Sequence, residues 1–268
     1  MEDLASILQV AILLASLAVW GLTFERWTTG VPLVSRTVPA TRARPLLAVL
    51  LTMVWILVSC YSHLTQSGEP QTVDAFDEVN ALFLLAFNLL LQITTTCVLL
   101  VCLTRLGSQR LTRFGIDSRE MSESVGTGIL GYFAAVIPVI AANVAMASFR
   151  TDDNQHVFLQ ILNSQQSIPL VALMIGSAVV MAPIGEELMY RVILQGTLQR
   201  YMSPTASILI SASLFSAVHG FPDAVGLFPL ALILGFLYWR TGSYLTIVTT
   251  HAMFNGVTVL LTIMSPEG

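Results

Sequence analysis

The chain has no lysine; its twelve basic residues are all arginine. Only 10% of its 268 residues are charged, against roughly 25% in soluble globular domains. That shortage excludes an ordinary soluble fold. The net charge of −4 is spread over short segments, and no basic patch marks a nucleic-acid partner. Cysteine is scarce too. Cys60, Cys97 and Cys102 lie in apolar runs and form no C-x-x-C pair, so they read as small buried hydrophobes and say nothing about redox compartment. A secretory signal is also missing. Glu2 and Asp3 stand where a positive n-region belongs, and TFERW follows the first apolar run in place of a small-residue cleavage site. There is no internal repeat, no low-complexity segment and no second soluble domain.

What the chain has is apolar length. Hydrophobic residues make up 55%, and mean hydropathy is +0.77. A helix needs about 20 apolar residues to cross a bilayer. Eight segments qualify: Leu4–Leu22, Pro45–Ser62, Ala81–Leu103, Gly126–Ala147, Ile168–Tyr190, Pro204–His219, Val225–Trp239 and Tyr244–Met264. The sixth and seventh are short, as for helices that are little tilted or shielded from lipid by their neighbours. The expected fold is all-α, a polytopic transmembrane bundle.

Arginine placement tests that count. Arg26, Arg36, Arg42 and Arg44 follow the first span, and Arg105, Arg110, Arg113 and Arg119 the third. Arg200 follows the fifth and Arg240 the seventh. All fall on one side of an eight-span chain, and Arg150 alone falls on the other. The positive-inside rule makes the arginine-rich side cytoplasmic and puts both termini outside. The acidic connections Thr65–Asn80 and Arg150–Ser167 agree. Arg105–Ser124 reads as a basic connector with an interfacial helix around Ser118–Ser124. The chain divides into a region of three spans, 1–125, and a second transmembrane region, 126–268, which carries nearly all the intramembrane polar chemistry.

Three elements hold that chemistry. The first is Glu186, Glu187 and Arg191, near the end of the fifth span. Burying two adjacent carboxylates in hydrocarbon is expensive, and such groups usually have a function or a partner. Glu187 and Arg191 are i and i+4 and share a helix face. Glu186 points about 100° away, with Tyr190 four residues on. Glu187 is thus free to pair with Arg191, and Glu186 is left for another task. Pro183 and Gly185 loosen the helix just before them. The second element is His219 in FSAVHG, and the third is His251 with Asn255 in HAMFN. Singly, these read equally well as an ion pair, an interfacial histidine and interhelical polar glue. Together they supply a carboxylate, two imidazoles and an amide, enough to activate a water. A desolvated carboxylate is a better general base than one in water. An imidazole can share the water's proton or protonate a leaving amine, and an imidazole with an amide can donate to an oxyanion.

EELMYR, FSAVH and HAMFN also match E-E-x-x-x-R, F-x-x-x-H and H-x-x-x-N, in that order. The set resembles the CPBP family, which contains Rce1-type CAAX prenyl endopeptidases and bacteriocin-processing or immunity (Abi) proteins. The intervening GFLYWRTGSYLTIVTTHAMFN resembles that family's last-motif region. The likeness covers about 90 C-terminal residues; the first four spans match only in general character. The resemblance implies an intramembrane endopeptidase acting on a membrane-associated or lipid-modified protein or peptide. By it, Glu186 is the base, working with His219 on a water. Glu187 and Arg191 are the supporting pair, and His251 and Asn255 stabilise the oxyanion.

The family often carries a metalloprotease label, and zinc on Glu186, His219 and His251 is the alternative to hydrolysis without a cofactor. An oxyanion role for His251 removes the third ligand, and no H-E-x-x-H is present, so the metal-free reading is preferred. Short termini and the missing targeting signals point to a bacterial cytoplasmic membrane. In that setting a prenylated substrate is not expected. Two rivals remain: a non-catalytic scaffold or immunity protein, and a proton-coupled transporter. The transporter is opposed by the confinement of polar chemistry to one half.

Overall fold

A computed structural model describes residues 2–31, 34, 46–66, 78–106, 111–115, 121–150 and 167–264. Those residues are almost entirely helical and contain no strand. Eight principal helices follow one another: α1 (Glu2–Thr28), α2 (Leu46–Gln66), α3 (Glu78–Val101), α4 (Met121–Ala145), α5 (Ile168–Leu198), α6 (Pro204–Ala217), α7 (Asp223–Thr241) and α8 (Tyr244–Met264). Six are long and apolar enough to cross a membrane, and α2 and α6 contribute shorter apolar stretches. The protein is an integral membrane helix bundle. The interfacial helix expected around Ser118–Ser124 lies partly outside the described residues, as do most of the connections Thr65–Asn80 and Arg150–Ser167.

The helix ends follow local chemistry. Ser203 caps α6 by accepting from the Ala206 amide at 3.3 Å, and Pro204 occupies the first turn, where no N–H is needed. Gly242 closes α7 in the left-handed conformation, φ 64°, with its amide on the Tyr238 carbonyl at 2.8 Å. Helix α7 is longer than its apolar run because Asp223, in its first turn, is bound by Arg150 at 2.8 Å.

Helix α5 departs most from expectation. It continues past Tyr190 to Leu198. Arg191 and Gln195 look like the edge of a membrane span, yet both are fully buried. The guanidinium donates to the Ala231 carbonyl at 3.1 Å, and the Gln195 amide donates to the Gly235 carbonyl at 2.9 Å. With Glu187 they form a polar row, one residue per turn, facing the backbone of α7. Two parts of α5, Ile175–Met181 and Leu188–Gln195, are wound more widely, as a π-helix. Pro183 follows the first of these, and its missing N–H interrupts the regular i→i−4 ladder.

Helix α4 packs against α1, α7 and α8. Small residues allow close approach: a Cβ on Gly128 would sit 2.7 Å from the Thr246 carbonyl oxygen. Thr250 donates to the Gly128 carbonyl at 2.8 Å and Thr246 to that of Ser124 at 3.1 Å. These are the small-residue contacts and interhelical hydrogen bonds by which helices associate in lipid. Of the cysteines, Cys102 is buried as expected, whereas Cys97 faces outward; the Cys60 side chain lies outside the described residues.

Candidate active site

The longer α5 changes the depth of the glutamates. By sequence they stand near the end of their span, and with straight helices Glu186, His219 and His251 would lie at different heights. With α5 ending at Leu198, Glu186 is instead roughly 15–18 Å from that end. Phe215, counted from Pro204 across the short turn, stands about 17 Å up α6. Glu186 and Phe215 are therefore level. His251 is about 11 Å into α8, whose start need sit only about one turn higher.

Glu187 is the centre of the buried charge. Arg191 Nη1 donates to its Oε1 at 3.3 Å, and Arg191 Nε lies 3.2 Å from its Oε2. Neither side chain is exposed at all. His251 Nδ1 lies 2.8 Å from Glu187 Oε1. A carboxylate only accepts, so Nδ1 carries the proton. The other ring nitrogen, Nε2, faces Glu186 Oε2 at 3.9 Å, and Glu186 keeps 27% side-chain exposure. The two glutamates thus differ as their helix faces imply. Glu187 is sealed between a guanidinium and an imidazole, and Glu186 looks out past the imidazole's far edge. The Glu187–Arg191 pairing was legible in the sequence; the Glu187–His251 contact was not.

Phe215 joins the remaining residues. Arg191 stacks over its ring at 4.4 Å from the centroid, and Tyr190 meets it edge-on at 5.2 Å. His251 packs edge-on at 5.7 Å and His219 tilted at 4.9 Å. A cation over an aromatic face in a dry interior is held by the ring quadrupole. Phe215 is therefore a shared wall between the Glu187–Arg191 pair and both histidines, a role its place one turn before His219 only hinted at. His219 lies past the last turn of α6, not within a span, and its Nδ1 is 2.8 Å from the Phe215 carbonyl. A carbonyl cannot donate, so Nδ1 carries the proton and Nε2 the lone pair of the neutral ring.

Asn255 stands one turn beyond His251 on α8. Its amide nitrogen donates to the Ala178 carbonyl at 2.8 Å, in the wide segment of α5, and keeps a second N–H. The structure thus brings Glu186, Glu187, Arg191 and His251 into direct contact, attaches His219 through Phe215, and ties Asn255 of α8 to α5 at Ala178, eight residues before Glu186. Among the described residues no group of three His, Cys, Asp or Glu side chains is placed to hold a metal ion.

Residues 168–257 match the family model described as type II CAAX prenyl endopeptidase Rce1-like. The match runs from the first residue of α5 to just past Asn255 in α8 and contains all three motifs. No curated protein and no solved structure matches the chain.

Proposed function

We propose that this membrane protein, whose α5–α8 form an Rce1-like region of a protease family, is an intramembrane endopeptidase that uses Glu186 as its general base. The observation that carries the reading is the chain of contacts Arg191–Glu187–His251–Glu186. It pins one face of the imidazole and aims the other at a second, partly exposed carboxylate.

Glu186 takes a proton from water, and the resulting hydroxide adds to the carbonyl carbon of the scissile peptide. His219 orients that water through Nε2, since Nδ1 is held by the Phe215 carbonyl. The oxyanion forms beside Glu186, within reach of His251 Nε2, and the remaining amide N–H of Asn255 supports it. When His251 is protonated on both nitrogens, the four charges of Glu186, Glu187, Arg191 and His251 cancel. Collapse of the intermediate breaks the C–N bond, and the proton held by Glu186 passes to the departing nitrogen. The products are a carboxylic acid and an amine, and passage of the acid's proton to the amine leaves a carboxylate and an ammonium.

The substrate class is a membrane-associated or lipid-modified peptide or protein, which the buried position of the site favours. The proposed setting is a bacterial cytoplasmic membrane with the arginine-rich side inward. Arg240 donates to the Val34 carbonyl at 2.6 Å, which keeps the ends of α1 and α7 on one side. A reporter fused after α8 should then be active only outside the cell.

Comparative proteomics of membranes containing the wild type or Glu186→Ala is the primary test. Peptide termini present only with the wild type are expected. If no terminus depends on Glu186, the reading fails and a non-catalytic scaffold takes its place. Hydrolysis is also expected to survive stringent chelation; loss of activity that zinc restores would overturn the metal-free mechanism.

A further inference from the structure

Helix α3 carries three polar residues on one face in mid-span, Asn88, Gln92 and Thr96, spaced i, i+4, i+8 over about 12 Å. This face meets α5. Ser177, fully buried, donates to Asn88 Oδ1 at 3.0 Å, and Gln92 Nε2 donates to the same oxygen at 2.7 Å. Those bonds explain Ser177 and half of each amide as interhelical glue. They leave both N–H groups of Asn88 and one of Gln92 over.

They also leave Thr96, which is 5% exposed and whose hydroxyl has no hydrogen-bond partner. A buried hydroxyl without a partner costs free energy. That hydroxyl lies against Gly185, where a Cβ would come within 2.9 Å of it, and the next residue is Glu186. The strip has apolar neighbours at both ends, while Asn88 and Gln92 themselves are only half-buried. Ala81, Leu85, Leu170 and Met174 form an apolar cluster above it, and Leu99 and Leu103 belong to the main core below. It is a polar strip in mid-span whose Thr96 end touches Gly185, the residue before Glu186.

We propose that this strip is a water-holding site that supplies Glu186. Hydrolysis consumes a water each turnover, and a base set in an apolar bundle needs a store beside it. Buried waters occupy polar recesses that offer two to four partners, and Thr96 with the spare Gln92 and Asn88 donors provides them. The inference rests on Glu186 as the base, but its test does not.

Single cysteines at Asn88, Gln92 and Thr96 would be placed in the full chain after Cys60, Cys97 and Cys102 are changed to alanine. They would be treated in membranes with a permanently charged methanethiosulfonate. The reagent needs a hydrated thiolate, so labelling is expected to be about tenfold faster than at Leu91 and Val98, which face outward on the same helix. Equal rates would sink the proposal. In a turnover assay, Thr96→Val should lower kcat about tenfold at unchanged KM, and Thr96→Ser should restore it. If Gln92→Leu raises KM and leaves kcat alone, the strip binds peptide, not water, and the proposal is wrong. Labelling requires no turnover, so it stands or falls apart from the assignment of Glu186, which Glu186→Gln tests.

Discussion

Helices α1–α3 and α4–α8 solve the same problem, survival in lipid, in opposite ways. Helix α1 shows Leu4, Ile7, Leu14, Leu17 and Phe24 outward and packs on α4 with two hydrogen bonds among the described residues, Ser16 on the Phe133 carbonyl at 2.6 Å and Trp20 on that of Ala134 at 3.2 Å. Helices α5–α8 bury a guanidinium, a carboxylate, an imidazole and a glutamine and pair them with one another and with backbone, the Gln195 amide oxygen alone of these groups lacking a partner. Helix α1 is held mainly by apolar packing, and α5–α8 by directional polar contacts, to which α3 adds the Ser177–Asn88 bond. Substitutions should therefore be absorbed in one and felt in the other.

The sharpest test of that contrast is Glu186→Gln. It keeps volume and removes the base, so turnover should fall roughly 10²–10⁴-fold while the melting temperature in detergent stays put; retained turnover would break the functional half of the contrast. Next is Arg191→Met, which leaves Glu187 buried with no guanidinium. Thermal denaturation should show a loss of about 3–5 kcal/mol, and the double change Glu187→Met, Arg191→Met should be milder than either single one. Smaller again is Gly128→Leu at the α4–α8 contact, where overpacking should cost about 1–3 kcal/mol. At the far end, Leu14→Ala on the outer face of α1 should move stability by no more than about 0.5 kcal/mol. A large loss there would mean that α1 is covered by protein and not by lipid.

The eight helices could be read directly from the sequence because apolar length is a one-dimensional property. The same property misplaced the end of α5. Arg191 and Gln195 look like a membrane edge only when they are assumed to meet water, and α7 covers them instead. The division of labour between Glu186 and Glu187 was legible because helical period alone separates their faces. The contact between His251 and Glu187 was hidden, since it joins two residues 64 positions apart through a crossing that no local pattern encodes. Phe215 was hidden for a related reason: its importance lies in joining Tyr190 and Arg191 of α5, His251 of α8 and His219 in the turn after α6. The Asn88–Gln92–Thr96 row was visible as spacing, but only the position of α5 gives it a neighbour.

The bonds from Arg191 and Gln195 end on the carbonyls of Ala231 and Gly235, not on side chains. Every residue has a carbonyl, so the identity of the α7 residues is largely irrelevant to them, while their height is not. A slide of α7 by one turn would re-offer equivalent acceptors; a slide by one residue would offer none. The arrangement behaves like a rack with teeth one turn apart. Side chains matter at the teeth only in having to be small, since a Cβ on Gly235 would come within 2.9 Å of Gln195 Oε1, and the rack fixes the height of the turn before α7 that carries His219.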